Sequence, residues 1–403
     1  MNLLFITTQF PYPLDNGGKI GAFNGISVVS DKYDVTVLSF TEEPQYIEEG
    51  IRYFKSVLPN VTFETPVFHD IHIRKKPMKL AKVMLQNYLQ SLPYVTAKFV
   101  DKNMFARIDE KFKEKNWDVV FVDYLNMNVY GSYIRNKYRG KYGHMILKDH
   151  NIEYEIVKQS AESSSGIKKV ILDAEWKRTL KYESNAVHKA ELVFSVCDEN
   201  TDFMKKYNKN SYTMLPTYEM LHHRENFESR PRILFMGNLS WGANMEGLHW
   251  FVDKVLPIVK KTVPDVHLTV VGSGPATNPF SGNDAVDYKG YVKDISNIYD
   301  DQKVFIVPLF KGSGIRIKIL EAFNNELPVV STTLGCGTIN AADGKEIFIA
   351  DQPDQFAEDV IKLLTDDALN HKMTLDAKEF LQNKFSLKTR QQEYREIENK
   401  VFG

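Results

Sequence analysis

The sequence predicts an α/β protein of two halves, each built on a parallel β-sheet wound with helices. Its 403 residues are too many for one ordinary hydrophobic core. Short runs of β-branched and other apolar residues alternate with segments of helical periodicity, which is the pattern of a parallel sheet. This alternation stops near residue 214 and restarts near residue 233, so we expect two Rossmann-like domains with a ligand groove between them.

In the first half, buried strands are predicted at residues 2–8, 35–40, 118–122, 145–148 and 192–196. Gly17 and Gly18 follow the first strand and lead into a helix, a crossing that lies at the ligand-facing edge of a doubly wound sheet. His150 lies just past the strand predicted at residues 145–148. Its neighbours Asp149, Asn151 and Glu153 either orient the imidazole or cap the next helix.

In the second half, strands are predicted at residues 233–238, 267–271, 286–290, 304–308 and 329–332. Gly237 and Asn238 end the first of them, Gly272 ends the second, and Val292 follows the third closely. Residues 355–401 are predicted to be helical and charged. We expect domains at residues 1–215 and 216–385, with a C-terminal helix at residues 386–403 that packs back toward the first domain.

Residues 304–333 contain the most informative pattern, a strand followed by K-G-S-G-I-R-I-K-I-L-E-A-F and a second strand. A strand, a glycine turn and a helix start make an anion site, because the first N–H groups of a helix are unpaired and its dipole favours negative charge. We predict that a sugar nucleotide binds here, with its ribose hydroxyls on Glu321 and its diphosphate on the turn and the two cations that follow it. The residues proposed for the diphosphate are Gly312, Ser313, Gly314, Ile315, Arg316 and Lys318.

The composition excludes several other classes of protein. The chain is 43% hydrophobic and 26% charged, with a mean hydropathy of -0.34, as in globular proteins. A formal net charge of -1 gives no basic field for nucleic acid, so we predict no nucleic-acid partner. The two cysteines form no framework, the first residues lack the basic region of a signal peptide, and no apolar run reaches the roughly 20 residues of a membrane span. We expect a cytoplasmic protein.

Three stretches resemble the retaining glycosyltransferases of family 4, which have the GT-B fold. They are F-P-Y-P-L-D-N-G-G-K at residues 10–19, F-M-G-N-L-S-W at residues 235–241, and G-S-G-I-R-I-K-I-L-E-A at residues 312–322. The third resembles the signature of the subgroup written G-G-G-T-R-L-K-I-L-E-A. The resemblance covers most of the chain, although residues 60–110 share little with the family. It implies transfer of a sugar from a nucleotide-diphosphate donor to a glycan or lipid-linked acceptor, in cell-surface polysaccharide biosynthesis.

Two positions depart from the family's pattern. Many members carry two glutamates seven residues apart, and Ser313 stands where the first would fall, while Glu321 matches the second. Many members also hold the diphosphate with an arginine and a lysine after the strand that opens the second domain. Asn238 stands in place of that arginine and no lysine follows in residues 239–247, so Arg316 and Lys318 are the natural substitutes.

The resemblance also assigns catalytic roles. A histidine at the position of His150 meets the sugar or an acceptor hydroxyl in the family, and we group it with Arg316 and Glu321 as the catalytic residues. No D-x-D pair or His/Cys cluster suggests a metal, so we predict no metal and no cofactor besides the donor. No carboxylate stands out as a nucleophile, which favours a front-face reaction in which the leaving phosphate accepts the acceptor's proton.

Other interpretations stay open at the level of sequence. A sugar-nucleotide 2-epimerase would share the fold and the ligand, although no obvious pair of acid/base carboxylates is present. A non-catalytic nucleotide-sugar-binding partner is the other alternative, because Ser313 replaces the first glutamate. The basic stretch at residues 71–99 either lies on an anionic membrane at the inner face of the cell, or is an amphipathic helix packed on its own domain.

Overall fold

The computed structural model describes residues 1–14, 17–69, 78, 91–218, 230–292, 295, 298–312 and 315–403. They divide into two compact units, one of residues 1–216 with 390–403 and the other of residues 217–389. Each unit has its own parallel sheet with helices, as predicted for a pair of Rossmann-like domains. The predicted contacts Ser313 and Gly314, and residues 71–77 and 79–90 of the basic stretch at residues 71–99, lie outside the described residues.

The sheet of the first unit has the strand order β3-β2-β1-β5-β6-β7-β8, with β4 paired to β2, and its strand pairs are parallel. The strands are β1 Asn2–Thr7, β2 Asp34–Thr41, β3 Val61–Phe63, β4 Val67–Phe68, β5 Trp117–Asp123, β6 Tyr142–Asp149, β7 Leu192–Ser195 and β8 Ser211–Thr213. β1 and β5 are neighbours, and the strands that follow them in the sequence, β2 and β6, lie on opposite sides of this pair. The topological switch point of the sheet therefore lies between β1 and β5. Ligands of such sheets bind outside the carboxyl ends of the strands at this point.

The helices of the first unit cover a sheet whose central strands are buried on both faces, as the continuous apolar run of β1 requires. They are α1 Gly17–Val29, α2 Ile47–Val57, α3 Tyr94–Ala97, α4 Lys102–Glu114, α5 Asn128–Lys137, α6 Glu153–Glu162, α7 Gly166–Lys189 and α8 Asp198–Lys205. The core joins β1, β5 and β6 to α4 and α5 through side chains such as Ile108, Trp117 and Tyr130, each at most 2% exposed.

The sheet of the second unit has the order β11-β10-β9-β12-β13-β14, also parallel, with its switch point between β9 and β12. The strands are β9 Arg232–Met236, β10 His267–Val271, β11 Val286–Gly290, β12 Val304–Val307, β13 Val329–Ser331 and β14 Phe348–Ile349. The helices are α9 Gly242–Trp250, α10 Leu256–Thr262, α11 Ile317–Asn324, α12 Thr333–Cys336, α13 Pro353–Thr365, α14 Asp367–Phe385 and α15 Leu387–Phe402. Residues 390–402 of α15 belong to the first unit.

The predicted helical segment at residues 355–401 is in fact three helices, α13, α14 and α15. It breaks at Asp366, where the backbone is extended. The carboxylate of Asp366 caps α14 by accepting the N–H of Leu369 at 2.9 Å. It breaks again at Ser386, whose hydroxyl accepts the N–H of Thr389 at 3.2 Å. The short strands β3, β4, β8 and β14 were not predicted, because two or three residues are too few to show a period.

Candidate functional site

The candidate site of the second unit lies at the switch point of its sheet, where the strands β9 and β12 end. Gly237 follows β9 directly, and the glycine turn with Gly312 follows β12 and leads into α11. Parallel strands bring their carboxyl ends to one edge, so these two turns are neighbours although Gly237 and Gly312 are 75 positions apart in the chain. The site is therefore made of a glycine turn, the start of α11 and the glycine that ends β9.

Two side chains lie close to the α-carbon of Gly237. A Cβ atom there would lie 2.8 Å from Nζ of Lys318 and 2.9 Å from Nδ2 of Asn244. Gly272, with a φ of 148°, is packed still more tightly, since its Cβ would lie 1.7 Å from the carbonyl oxygen of Gly237. Gly272, proposed above as a ligand contact, thus fixes the position of Gly237 by close backbone approach.

Lys318 is held in place by residues that local spacing does not reveal. Its Nζ donates to Oδ1 of Asn244 at 2.9 Å and lies 4.9 Å from the centre of the Phe235 ring. The amide nitrogen of Asn244 in turn donates to the backbone oxygen of Asn238 at 2.8 Å. Burial, with help from the charge of Arg316, lowers the pKa of Lys318 to about 8, and the opposite charge of Glu321 moderates this shift. Lys318 is thus a partly desolvated cation aimed at the end of β9.

Arg316 precedes α11 and is only 8% exposed. One of its terminal nitrogens approaches the carbonyl oxygen of Leu334 at 3.5 Å, and the same nitrogen would lie 3.3 Å from a Cβ on Gly312. Gly312 has a φ of 106° and would also place a Cβ 2.8 Å from the ring of Trp241, so only glycine suits this turn. Arg316 and Trp241 therefore flank the glycine turn.

Glu321 lies one helical turn after Lys318, on the same face of α11. Its side-chain oxygens accept no hydrogen bond from another described residue, although the carboxyl is largely enclosed. Burial raises the pKa of Glu321, and Lys318 partly opposes this. Tyr218 and Tyr299 lie close enough for the charge of Glu321 to raise the pKa of both phenols, which burial already raises. An enclosed acceptor without a donor suits the hydroxyl groups of a ligand.

Three further predicted contacts of the second unit lie in the turns and loops that follow its strands. The carboxamide oxygen of Asn238 accepts the N–H of Ser240 at 2.9 Å, so this side chain shapes the turn before α9, and its contact with the donor stays a prediction. Ile315 and Val292 are partly buried, in the turn before α11 and in the loop after β11. Four residues of this site were not predicted from the sequence: Asn244, Trp241, Tyr218 and Tyr299. Only Asn244 had a usable signal, because it is a polar residue in the first turn of α9.

In the first unit, His150 follows β6 and meets the ends of two other strands. Its Nε2 lies 2.8 Å from Oδ1 of Asp123, the last residue of β5, and Oδ2 of Asp123 accepts the hydroxyl of Thr7 from β1 at 2.8 Å. The imidazole stacks on the ring of Tyr124 with centroids 3.8 Å apart and planes 9° apart. A Cβ on Gly21 of α1 would lie 3.0 Å from the ring, so the helix packs close against it.

The surrounding charges define the protonation of this cluster. Burial alone would raise the pKa of Asp123, but His150 and the nearby Lys148 outweigh it and lower that pKa. Burial and Lys148 lower the pKa of His150 below its usual range, although Asp123 opposes them. At neutral pH the imidazole is therefore uncharged. An ionised Asp123 only accepts hydrogen bonds, so Nε2 carries the proton and Nδ1 is left as an acceptor.

The sequence left open whether Asp149, Asn151 and Glu153 orient the imidazole or cap the next helix, and in the structure Asp123 holds the imidazole. Asp149 instead accepts the N–H of Leu125 at 3.4 Å, and its other oxygen is buried with no partner among the described residues. Burial and the charges of Glu183 and Glu153 raise the pKa of Asp149. Glu183 caps α6, accepting the N–H of Glu153 at 2.8 Å and that of Tyr154 at 3.2 Å. Asp123 directly follows the strand predicted at residues 118–122, and this position was a signal for its role.

Gly17 and Gly18 are the first two residues of α1, so their N–H groups lie at a helix start. Nearby, a cavity of about 300 Å³ is lined by residues that include Lys19, Glu43, Tyr124 and Asn126. Lys19 is buried and forms an ion pair with Glu43 at 2.7 Å. The carboxamide oxygen of Asn126 is buried without a partner among the described residues. This cavity adjoins His150 through Tyr124, the residue that the imidazole stacks on.

Two further properties concern the described residues only. No group of three or more His, Cys, Asp or Glu side chains there is arranged to hold a metal ion. None of the helices in this part of the chain is long and apolar enough to cross a membrane.

Comparison with known proteins agrees with this geometry. Residues 230–366, which lie within the second unit and include its site, match the family model described as "Glycosyl transferases group 1". Over 403 residues the chain is 23% identical to an uncharacterized 44.6 kDa protein in the cps region of Klebsiella pneumoniae, covering 96% of this chain and 97% of that protein.

Solved structures resemble the whole chain. Sucrose-phosphate synthase from Thermosynechococcus elongatus superposes with a TM-score of 0.67 at 13% identity, covering 100% of this chain and 99% of that one. TarM from S. aureus gives 0.64 at 12% identity, covering 99% and 100%. HepE from Anabaena, in complex with UDP-glucose, gives 0.58 at 12% identity, covering 99% and 100%. The protein thus has the GT-B fold, and its similarity to the group 1 glycosyltransferases lies in residues 230–366.

Proposed function

We propose that the protein is a retaining hexosyltransferase that takes its sugar from a nucleotide diphosphate. The observation that carries the proposal is the cluster of Arg316, Lys318 and Glu321 around the glycine turn, inside the region that matches the group 1 glycosyltransferases. Two enclosed cations beside a glycine turn and a carboxylate that lacks a donor suit a ligand carrying both a diphosphate and a ribose. The complexes of HepE with UDP and with UDP-glucose support a donor of this class.

In this proposal the second unit stabilises the leaving group. Departure of the sugar leaves negative charge on the diphosphate, and fixed cations at those oxygens lower the barrier. Arg316 has the planar fork that grips phosphate in two places, while Lys318 contributes a single charge held by Asn244. Glu321 accepts the ribose hydroxyls. The further donor contacts that we propose are Gly237, Gly312, Ile315 and Val292, while the predicted contacts Ser313 and Gly314 lie outside the described residues.

In the same proposal the first unit supplies the acceptor side. The neutral His150 presents Nδ1 as an acceptor, which suits a hydroxyl of the transferred sugar or of the acceptor. Gly17 and Gly18 lie at the start of α1, beside the cavity that we assign to the acceptor. Retention follows from a front-face reaction in which the leaving phosphate takes the acceptor's proton, with no metal and no protein nucleophile.

The acceptor is proposed to be a glycan or a lipid-linked oligosaccharide. The support is the relative in the cps region of Klebsiella pneumoniae, which matches over nearly the whole of both chains. We infer a place in cell-surface polysaccharide biosynthesis, with the reaction on the cytoplasmic side of the membrane.

The proposal is tested by binding a panel of sugar nucleotides, followed by a search for transfer. Calorimetry on the intact chain should find one nucleotide sugar that binds well above the rest, and nucleotide release should depend on a glycan acceptor. Proton NMR of the product would show the anomeric configuration, and an inverted product would remove retention. Conversion of the donor without any acceptor would favour an epimerase.

His150→Ala separates a transferase from a binding protein. An interaction made mostly in the transition state lowers kcat more than it raises the donor KM. We expect a loss of about 10² or more in kcat, the usual scale for one positioned polar group, with donor affinity retained. His267→Ala, at an exposed position of β10, is the matched control. Normal turnover in the His150 variant would show that this histidine is structural.

A further inference from the structure

The helices α6 and α7 pack together as a hairpin in the first unit, and the start of α7 is unusually exposed. Ile167 is 81% exposed, Val170 70% and Ile171 52%, and Ile156 on α6 is 48% exposed. Isolated exposed aliphatic residues are common on protein surfaces, but a group of them on neighbouring turns indicates a contact surface. Nothing in the proposed reaction uses these residues.

The exposed aliphatic residues of α7 share one face of the helix. Ile167, Val170, Ile171 and Ala174 stand at positions i, i+3, i+4 and i+7, the spacing of a single stripe. The same face continues one turn later into Lys177 and Lys181, which line a groove of about 820 Å³ together with Ala174. The face therefore changes along its length from aliphatic to cationic. We call residues 167–181 of this face the α7 surface.

The charges around the α7 surface are mostly positive. Residues 163–172 contain Lys168 and Lys169 and no acidic residue. Neither Lys168 nor Lys181 forms an ion pair with a described residue, and both side chains are exposed. The two acids of the following turns are already engaged. Asp173 pairs with Lys169 at 3.0 Å, and Glu175 pairs with Arg178 while accepting the N–H of Tyr94.

We propose that the α7 surface binds the surface of an anionic lipid bilayer. The aliphatic stripe would enter the boundary between headgroups and acyl chains, and the lysines would reach the lipid phosphates. Such a helix lies in the plane of the membrane, held by buried apolar area and by attraction to anionic lipid. This goes beyond the proposed reaction and uses residues apart from both sites.

The composition of the surface favours a membrane over a folded partner. Protein interfaces are enriched in aromatic residues and depleted of lysine, whereas the exposed part of this face has three branched aliphatic residues and two lysines. Trp176, the one aromatic residue among residues 167–181, is partly buried and not on the exposed stripe. Long lysine side chains suit a membrane because their stems cover apolar surface while the charged ends reach phosphate.

The test is sedimentation of the full chain with two kinds of vesicle, phosphatidylcholine alone and phosphatidylcholine mixed with phosphatidylglycerol. We expect partitioning onto the anionic vesicles only, weakening as salt is added. Lys177→Glu with Lys181→Glu should lower the partition coefficient about tenfold or more. Replacing Ile167, Val170 and Ile171 by serine should lower it about tenfold or more as well, because it removes the apolar contact.

Two matched controls accompany these variants. Lys260→Glu with Lys261→Glu changes two equally exposed lysines of α10, and Leu375→Ser removes an aliphatic side chain that is 50% exposed on α14. Both should bind vesicles like the unaltered chain. Nucleotide affinity and the melting temperature should be unchanged throughout, since every altered side chain is exposed.

Several outcomes would overturn the proposal. Equal binding to neutral and anionic vesicles, or unchanged binding in either α7 variant, would do so. If reversing the charges at residues 74–82 abolished binding while both α7 variants bound normally, the membrane contact would lie in that basic stretch. If light scattering found a dimer that the serine variant turned into a monomer, the surface would belong to a second copy of the chain.

Discussion

His150 and Asp123 form a hydrogen bond of 2.8 Å that joins the carboxyl ends of β6 and β5. Thr7, at the end of β1, holds the other oxygen of the same carboxylate at 2.8 Å. Three neighbouring strands therefore fix one imidazole beside the switch point of the first sheet. The bond determines both the orientation of the ring and which nitrogen carries its proton.

Asp123→Asn should leave the fold intact and reduce turnover. An uncharged amide at position 123 no longer keeps the imidazole proton on Nε2. In part of the molecules the proton then lies on Nδ1, and Nδ1 cannot act as an acceptor there. We expect kcat to fall by about 10² or more while donor affinity stays within about twofold. Steady-state kinetics and calorimetry would check this. Asp202→Asn, at an exposed position of α8, is the control, and full activity in Asp123→Asn would mean that the pair is only structural.

Donor affinity should fall as the pH rises through the pKa of Lys318. Burial and Arg316 lower that pKa to about 8, so the ammonium is charged below this pH and loses its proton above it. If only the charged form binds the diphosphate, affinity should drop about tenfold between about pH 7 and about pH 9. Lys318→Arg should remove this dependence, because arginine stays charged throughout the range. An equally steep decline in Lys318→Arg, measured by calorimetry, would assign the titration to another group.

Glu321 should be the residue that distinguishes a ribose from a deoxyribose. We expect Glu321→Ala to weaken binding of the ribonucleotide by roughly 1–3 kcal/mol, the order for a ligand hydroxyl that loses its partner. The 2′- and 3′-deoxy analogues of the same nucleotide should show which hydroxyl is involved, since the matching analogue loses little further affinity in the variant. Glu358→Gln, exposed on α13, is the control. Unchanged ribonucleotide affinity in Glu321→Ala would remove the role proposed for this carboxylate.

Gly272→Ala should destabilise the second unit. The added Cβ would lie 1.7 Å from the carbonyl oxygen of Gly237, and a φ of 148° is unfavourable for alanine. The backbone must move, which should lower the free energy of unfolding by about 2 kcal/mol or more and weaken donor binding through Gly237. Urea denaturation would measure the loss. Gly282→Ala is the matched control, because a Cβ there meets nothing within 4 Å. Equal stability of the two variants would contradict this account of Gly272.

The fold class was predictable because its signals are local. Each central strand is a short apolar run, each glycine turn is visible as a motif, and a parallel sheet follows from their alternation with helices. The same local signals pointed to Gly237, Gly312 and Lys318, which the structure brings together at one switch point. No local signal predicted the very short strands, such as β4 and β14. The end of a helix at a single polar side chain, as at Asp366, was not predicted for the same reason.

The sequence by itself determined a two-domain α/β protein and a glycine turn with cations at a helix start, because apolar periodicity and motif spacing are properties of neighbouring residues. Only the tertiary structure decided the partners of those residues. Asp123 meets His150 across 27 positions, and Asn244 holds Lys318 across 74. Such pairs depend on which strands lie side by side and on how closely the helices pack against them. Neither the strand order nor the helix packing can be deduced from the spacing of residues along the chain.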